Sequence, residues 1–600
     1  MGYTFAEKIL NAPAGTIVFK QPDLILTHDN TASIRKTFEK MGGKKVYDPD
    51  RLVVVLDHNS PPTNAKVATD HDNVRKFVKI QGIKKFHEEG EGICHQLMAN
   101  YVKPGMIVVG SDSHTCTAGA FNALAVGIDR TEAAGIWRRG ETWFRVPETI
   151  KIILHGRLPK GVFAKDLILW IAGMIGSAGA NYMSIEFHGD GVKTLSISDR
   201  MTIANMASEL GAKNAVFPPD EVLAKYFNTS SDELNGIWAD EDAVYARKIE
   251  INLNELFPVV AVPHHIDNIK ALREVIDTPI HEAFVGTCTN GRLEDLREAN
   301  NIIRGKEIHK NVQMIITPAS RQIYLQAITE GIITNMLSAG ANVLTASCGP
   351  CLGTGQGIPA DGWNVISTAN RNFLGRMGNK KANIYLASPA TVAYSALKGK
   401  ISDPREVLDL DFKAKEEHFP YKQEQTKTLT IPQGQLRRIN GVWNYKEVDN
   451  LNTDQMFAGN LTYQVLSSDP EGILPHLFAG FDPNFSKNAK KGDIIIAGRN
   501  FGSGSSREHP AVGLAYLGIK AVIVKSVNRI FFRSSINQGL PIIVHPQAVE
   551  EYKPGDKVEV DFENGKIIIN TKIFKFQPLP EKLMKIIHAR GLVNWIKNSA

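Results

Sequence analysis

Two segments carry sulfur at a spacing that could hold a metal. TASCGPCLGTGQG places Cys348 and Cys351 in a C-x-x-C pair, and FVGTCTNGRLEDL carries Cys288, 60 residues before Cys348. Each follows a short apolar run, residues 341–344 and 283–285, that reads as a strand. Ligand sites in α/β sheets gather just beyond the carboxyl ends of strands, so the two loops could converge. Gly349, Gly353, Gly355 and Gly357 let the backbone approach a bound group closely. The pair alone admits several chemistries. A structural zinc site would want a fourth Cys or His at similar spacing. A thioredoxin-like pair would open a helix after the first βαβ strand, whereas this one sits mid-chain. Three thiolates without an obvious fourth point to an iron–sulfur cluster with one iron open, able to polarise a substrate oxygen.

A second constellation is histidine beside acid. The first 200 residues contain THDNT (His28, Asp29), LDHNSPP (Asp57, His58), GICHQ (His95), GSDSHT (Asp112, Ser113, His114) and IEFHGDG (Glu186, His188). One histidine after a strand is ordinarily a satisfied structural residue. Several such clusters at loop positions favour one shared polar site, and imidazole–carboxylate pairs move protons near neutral pH. A third element is GRNFGSGSSREH, residues 498–509. It lies between a strand and a helix but lacks the Gly-Lys-Ser of a phosphate loop. Read plainly it is a tight turn with a capping serine. Read for chemistry, its helix-start N–H groups could stabilise a serine alkoxide or a carboxylate, and Arg507 could clamp a carboxylate at two points.

These residues need elements to carry them. The first ~400 residues alternate strand-like runs, such as 51–56 (RLVVVL) and 105–109 (GMIVV), with helical patterns such as 73–86, which argues for α/β layers. From 418 to 450 the chain turns polar and is broken by Pro and Gly, and reads as a linker. Beyond it strands at 493–497, 519–524 and 540–544 alternate with helices at 509–517 and 528–538, a separate βαβ unit. The expected organisation is 1–420, three α/β subdomains; 421–449, linker; and 450–600, a C-terminal α/β domain.

The bulk properties exclude more than they assign. The 600 residues carry 69 Lys and Arg against 63 Asp and Glu, a net +6, spread without a basic block. That gives no electrostatic footprint for nucleic acid or a membrane surface. The longest apolar stretch, 167–180, is interrupted by glycine and falls short of the ~18–20 residues of a membrane span. The N-terminus, MGYTFAEKIL, has no secretory pattern, and Ala6 breaks the myristoylation pattern. Five cysteines do not make a disulfide framework. A cytoplasmic protein is expected.

GSDSHT, GTCTN, CGPCLG, TANRNFLGRMG and GSGSSREH, in this order, resemble the aconitase superfamily over nearly the whole chain. Residues 1 to about 420 resemble the large subunits of the 3-isopropylmalate dehydratase and homoaconitase branch. Residues from about 450 resemble the small, swivelling subunit, here fused in one chain so that no separate small subunit is required. The resemblance implies three-layer α/β/α domains around one 4Fe–4S cluster per chain, with a swivelling α/β domain over it. Carried over by position, Cys288, Cys348 and Cys351 are the cluster ligands, and Ser505 is the base that takes the carbon-bound proton. Ser506, Arg507, Arg371 and Arg376 contact substrate carboxylates, with Ser113 beside them. Asp57, His58, His95, Asp112, His114 and Glu186 form the network that handles the leaving hydroxyl. His28 stands where aconitases proper have glutamine. The implied activity dehydrates and rehydrates a 2-hydroxy di- or tricarboxylic acid, in the manner of 3-isopropylmalate dehydratase. Alternatives within the family are aconitate or homoaconitate hydratase and citramalate or dimethylmalate hydro-lyase. An RNA-binding regulator in a cluster-free form is the alternative of another class, and the absence of basic or aromatic patches speaks against it. The sequence departs from its relatives after Asn452-Thr453-Asp454: Gly459, Asn460 and Leu461 stand where related small subunits carry Arg or Lys. This tilts the expected substrate toward an apolar substituent.

Overall fold

The computed structural model describes residues 2–408, 417–421, 437–462, 464–504 and 507–599. Its first sheet is all parallel, with strands in the order Lys85–His87, Leu52–Val55, Leu24–Thr27, Ile107–Gly110, Leu124–Gly127. Their apolar runs are continuous because both faces are covered, as parallel sheets require. Alternate residues part between two cores. Leu24, Leu26, Val53 and Val55 face one, while Ile25, Leu52 and Val54 face the other, beneath the helices Thr31–Lys40, Ala65–Gln81 and Arg130–Arg139. The helix expected at 73–86 is displaced. Asn64 caps its start by accepting from the Val67 N–H, and Gly82, with φ +71°, ends it. The chain then enters the edge strand Lys85–His87.

A second parallel sheet holds Asn214–Val216, Ser184–His188, Thr149–His155 and Arg247–Asn252 in that order. The third has seven strands with Asn364–Ser367 at the centre and Glu282–Gly286 between it and Gln313–Thr317; Asn342–Val343 is the edge beyond Gln313–Thr317. Among the described residues no helix is long and apolar enough to cross a membrane.

In the C-terminal part, Val442–Tyr445, Ile494–Ala497, Ala521–Val524 and Ile542–Val544 run parallel, with Arg438–Ile439 antiparallel at the edge. This corrects the linker of 421–449. Val442–Tyr445 carries the buried Trp443 and Tyr445 and is paired along its whole length with Ile494–Ala497, so the domain begins before residue 450. Most of the rest of that linker lies outside the described residues. An antiparallel three-stranded sheet follows, over Val558–Asp561, Lys566–Ile569 and Lys572–Lys575. The last helices, Glu581–His588 and Leu592–Asn598, return to the first sheet's outer core, burying Leu583, Ile586, Leu592 and Ile596 there.

Candidate active site

Four adjacent strands of the first sheet deliver polar side chains at their carboxyl ends. Leu52–Val55 leads to Asp57 and His58, Leu24–Thr27 to His28, Ile107–Gly110 to Asp112 and His114, and Leu124–Gly127 to Arg130. His95 joins them from the short helix Cys94–Met98. The groups pair as acid and imidazole. His58 Nδ1 lies 2.7 Å from Asp57 Oδ1, His95 Nε2 is 2.7 Å from Asp112 Oδ1, and His114 Nε2 is 2.9 Å from Glu209 Oε1. His28 stacks on His58 with ring centroids 3.8 Å apart. Behind them Asp29 accepts the His58 N–H at 2.6 Å and meets His71 Nε2 at 2.6 Å.

The pairing decides which groups carry charge. Burial opposes ionisation of Asp112, but His114, His58 and His95 hold it well below the usual carboxylate range. Burial likewise opposes a charged His58, and Asp57 overrides it, holding the imidazole well above its ordinary value. His28 moves the other way, lowered by burial and by the neighbouring His58. Burial would raise Glu209, yet Arg371 and His114 bring it down to about 2.

The facing wall comes from the third sheet. Cys288 follows the interior strand Glu282–Gly286, and Cys348 and Cys351 follow the edge strand Asn342–Val343. Thr287, immediately before Cys288, adopts φ +72°, a region a β-branched residue enters only under constraint from its surroundings. Gly349 has φ +52°, and a Cβ there would stand 2.9 Å from Thr317 Cγ2, so the C-x-x-C turn requires glycine. All three thiols are free and line one cleft of about 500 Å³ together with His28, His58 and His114. N–H donors are aimed at the sulfurs: Asn205 Nδ2 lies 3.2 Å and Asn370 Nδ2 3.6 Å from Cys288 Sγ, and Arg376 Nη2 lies 3.5 Å from Cys351 Sγ. Such a donor set suits anionic sulfur. Burial, and after it the neighbouring Cys351, pushes the Cys288 thiol up to about 12, so a bound cation is what would hold it as thiolate. The residues present therefore fit a thiolate-ligated metal group.

Arginines and the C-terminal domain close the cleft. Arg371 Nε meets Glu209 Oε1 at 2.8 Å, and its Nη2 donates to Ser113 Oγ at 2.9 Å and to the Gly504 carbonyl at 3.3 Å. The Gly504 contact brings the end of the Gly498–Gly504 turn to the cysteine side. Ser505 and Ser506 lie outside the described residues. Arg507 lines the cleft, 2.6 Å from Asp454 and donating to the Phe457 carbonyl at 3.0 Å. Glu508 reaches across to the first sheet's helix Arg130–Arg139, accepting from Thr131 N at 3.1 Å and Thr131 Oγ1 at 2.7 Å.

Of the expected site residues, His28, His58, His95, Asp112, Ser113, His114, Cys288, Cys348, Cys351, Arg371, Arg376 and Arg507 all line this cleft, with Asp57 just behind His58. Glu186 is the correction. It is fully buried away from the cleft and accepts from the Phe5 N–H at 2.7 Å and the Tyr245 hydroxyl at 2.9 Å. Glu209, which the sequence did not single out, is the carboxylate that meets His114. No spacing links Glu209 to a histidine 95 residues away, and NMASELGA reads only as the end of a helix. Asn205, a donor to Cys288, was equally silent, because an isolated asparagine is indistinguishable from a capping residue; Asn370 stands in the TANRNFLGRMG run but was not singled out there.

The chain matches the model of the aconitase family (aconitate hydratase) over residues 5–279 and 270–399, and that of the aconitase C-terminal domain over 418–547. It is 44% identical over 418 residues to the 3-isopropylmalate dehydratase large subunit 1 of Methanopyrus kandleri, covering 68% of this chain and 100% of that one. It is 46% identical over 419 residues to large subunit 2 of Archaeoglobus fulgidus, covering 68% and 100%. With the methanogen homoaconitase large subunit of Methanocaldococcus jannaschii it shares 44% over 417 residues, 67% of this chain and 99% of that one. A solved 3-isopropylmalate dehydratase structure from Methanocaldococcus jannaschii shares 42% identity over 25% of this chain and 89% of that one, with a TM-score of 0.23.

Proposed function

The chain belongs to the aconitase family and is a hydro-lyase, and we propose that its cleft removes water from, and returns it to, a 2-hydroxy acid bearing at least two carboxylates, the reaction type of its relatives. The observation that carries this reading is that three imidazole–carboxylate pairs and three free thiols share one cleft, whose Arg371 donates to the Gly504 carbonyl of the C-terminal domain.

Cys288, Cys348 and Cys351 would hold a 4Fe–4S cluster whose fourth iron, lacking a protein ligand, supplies Lewis-acid polarisation of the substrate when bound. Arg371, Arg376 and Ser113 bind the carboxylates of the substrate core. Ser505 takes the proton from the carbon next to the one bearing the hydroxyl, and its alkoxide is favoured by N–H groups at the loop-to-helix junction. His58, His95 and His114, each held by an acid, supply the proton with which the hydroxyl leaves as water, and a carbon–carbon double bond remains. Addition of water to the other carbon completes an isomerisation. The pairing fixes each ring's orientation, so the proton is offered at one place. The region after residue 437 acts as the small-subunit-like part in cis, so the reaction needs no separate subunit.

The test is iron and acid-labile sulfide in the anaerobically purified full chain, with turnover of a panel of 2-hydroxy di- and tricarboxylic acids. About four irons and four sulfides per chain are expected, lost on Cys348→Ser and kept on Cys116→Ser. Stoichiometric zinc without sulfide would overturn the proposal.

A further inference from the structure

The first sheet, the second sheet and the C-terminal part meet around the helix Arg529–Asn537, and cations make the contact. Arg529 is 1% exposed and Arg533 0%. Arg529 Nη2 donates to Ser208 Oγ at 3.1 Å and to the Ser113 carbonyl at 3.3 Å, while Arg533 bonds Glu132 and the Trp143 carbonyl. A third cation comes from the second sheet. Lys213, 1% exposed, leads into the strand Asn214–Val216, and Tyr182 leads into the neighbouring parallel strand Ser184–His188. The Lys213 N–H donates to the Met183 carbonyl at 2.7 Å, which holds the two segments together. Lys213 Nζ lies 5.2 Å from the Tyr182 ring centroid, and Phe532 of the C-terminal helix meets the same ring edge-on at 6.1 Å.

Each of these cations has a donor left over. Among the described residues Lys213 Nζ, Arg529 Nη1 and Arg533 Nη1 are buried without a hydrogen-bond partner, and so is the Tyr182 hydroxyl, which stands close to Arg533. The acids in reach are already engaged. Glu132 accepts from Arg533 and Thr142, Glu209 from His114 and Arg371, and Asp129 from Ser534 and Asn537. Burial, and then the charges of Arg533 and Arg529, push the Lys213 amine well below its ordinary value. A water molecule could accept hydrogen bonds here but would leave like charges facing one another in a low dielectric; an anion answers both needs. None of the four residues lines the cleft, so the place is separate from the site of reaction.

We propose that Lys213, Arg529, Arg533 and the Tyr182 hydroxyl bind a small inorganic anion such as chloride, and that this ion clamps the C-terminal domain in its docked position. A halide accepts N–H and O–H donors from several directions at once and is small enough to be enclosed by buried side chains. It gives Lys213 the counter-charge that no carboxylate supplies. Arg529 extends the effect inward, because its other nitrogen holds the Ser113 carbonyl and Ser208 Oγ, beside the residues that carry His114 and Glu209. The inference stands apart from the hydro-lyase reading.

The experiment follows thermal unfolding of the full anaerobic chain as sodium gluconate is exchanged for sodium chloride at constant ionic strength. Gluconate is too bulky for an enclosed site, so an ion bound only by the folded chain should raise the wild-type melting temperature by at least ~2 °C between chloride-free buffer and roughly 0.2 M chloride. Lys213→Met keeps the length of the side chain and removes the charge, and its melting should not respond to chloride. Tyr182→Phe removes only a hydroxyl and should weaken the response; it carries the test if the lysine variant does not fold. A crystal grown in bromide should show an anomalous scatterer within hydrogen-bonding reach of Lys213 Nζ. A wild type indifferent to chloride, a response undiminished in the folded variants, or water alone at that position in the bromide crystal overturns the inference.

Discussion

The two halves of the cleft are held in place by different means. On the N-terminal side the reactive groups hold one another: Asp57 fixes His58, Asp112 fixes His95, and Glu209 fixes both His114 and Arg371. Every member is buried or half-buried and hydrogen-bonded to another member, so the polarity of this wall is set before substrate arrives. On the C-terminal side the loop after Ile494–Ala497 reaches the cleft through contacts with other domains: Glu508 on Thr131 and the Gly504 carbonyl on Arg371. Farther out, Arg533 is buried against Glu132, donates to the Trp143 carbonyl and stacks over the Trp143 ring at 3.8 Å. Side-chain placement on the first wall depends on local pairs, and on the second it depends on docking.

That contrast is breakable in graded steps. The largest effect belongs to the first wall. His58→Asn removes a proton donor from a wall otherwise intact and should lower kcat by about 10²–10⁴ with little change in KM or melting temperature. A KM effect alone would mean that His58 binds rather than reacts. Next comes the docking surface. Arg533→Met leaves Glu132 buried without its main partner and should cost about 3–5 kcal/mol in denaturant unfolding, with kcat falling only as far as the loop is displaced. A loss under ~1 kcal/mol would show that Arg533 does not hold the domains together.

A smaller effect is pH-dependent. Glu209 sits at about 2 in the folded chain against an ordinary 4.5. A carboxylate depressed on folding contributes stability that is present above the unfolded value and is lost as pH falls from about 4.5 through 2. The contribution is on the order of 3 kcal/mol. Glu209→Gln should forfeit it at neutral pH and flatten that part of the acid-unfolding curve. Glu186→Gln, whose carboxylate faces Phe5 and Tyr245, should leave kcat unchanged; the reverse pattern between the two glutamates would put the sequence-based assignment back in place.

How far the sequence reached follows from the range of each signal. Leu52–Val55 and Ile494–Ala497 were legible as strands because a doubly covered parallel strand is an unbroken apolar run. Cys348 and Cys351 were legible because three residues of spacing span one turn. Glu209 was not, since its meaning comes from His114 and Arg371, brought to it by the packing of three separate segments. Arg130 follows an ordinary strand and starts an ordinary helix, and only the strand order puts it at the end of the histidine row. The linker was read too long because 438–445 is short and punctuated by Gly441, so its pairing with Ile494–Ala497 left no periodic trace.

If the two walls serve one reaction with Ser505 as its base, removing that hydroxyl stops turnover without disturbing the thiols. The direct measurement is single-turnover and steady-state kcat of Ser505→Ala with iron and sulfide determined on the same sample. A full cluster and a kcat reduced by at least about 10²-fold are expected. A full cluster with kcat near that of the wild type would contradict that role for Ser505.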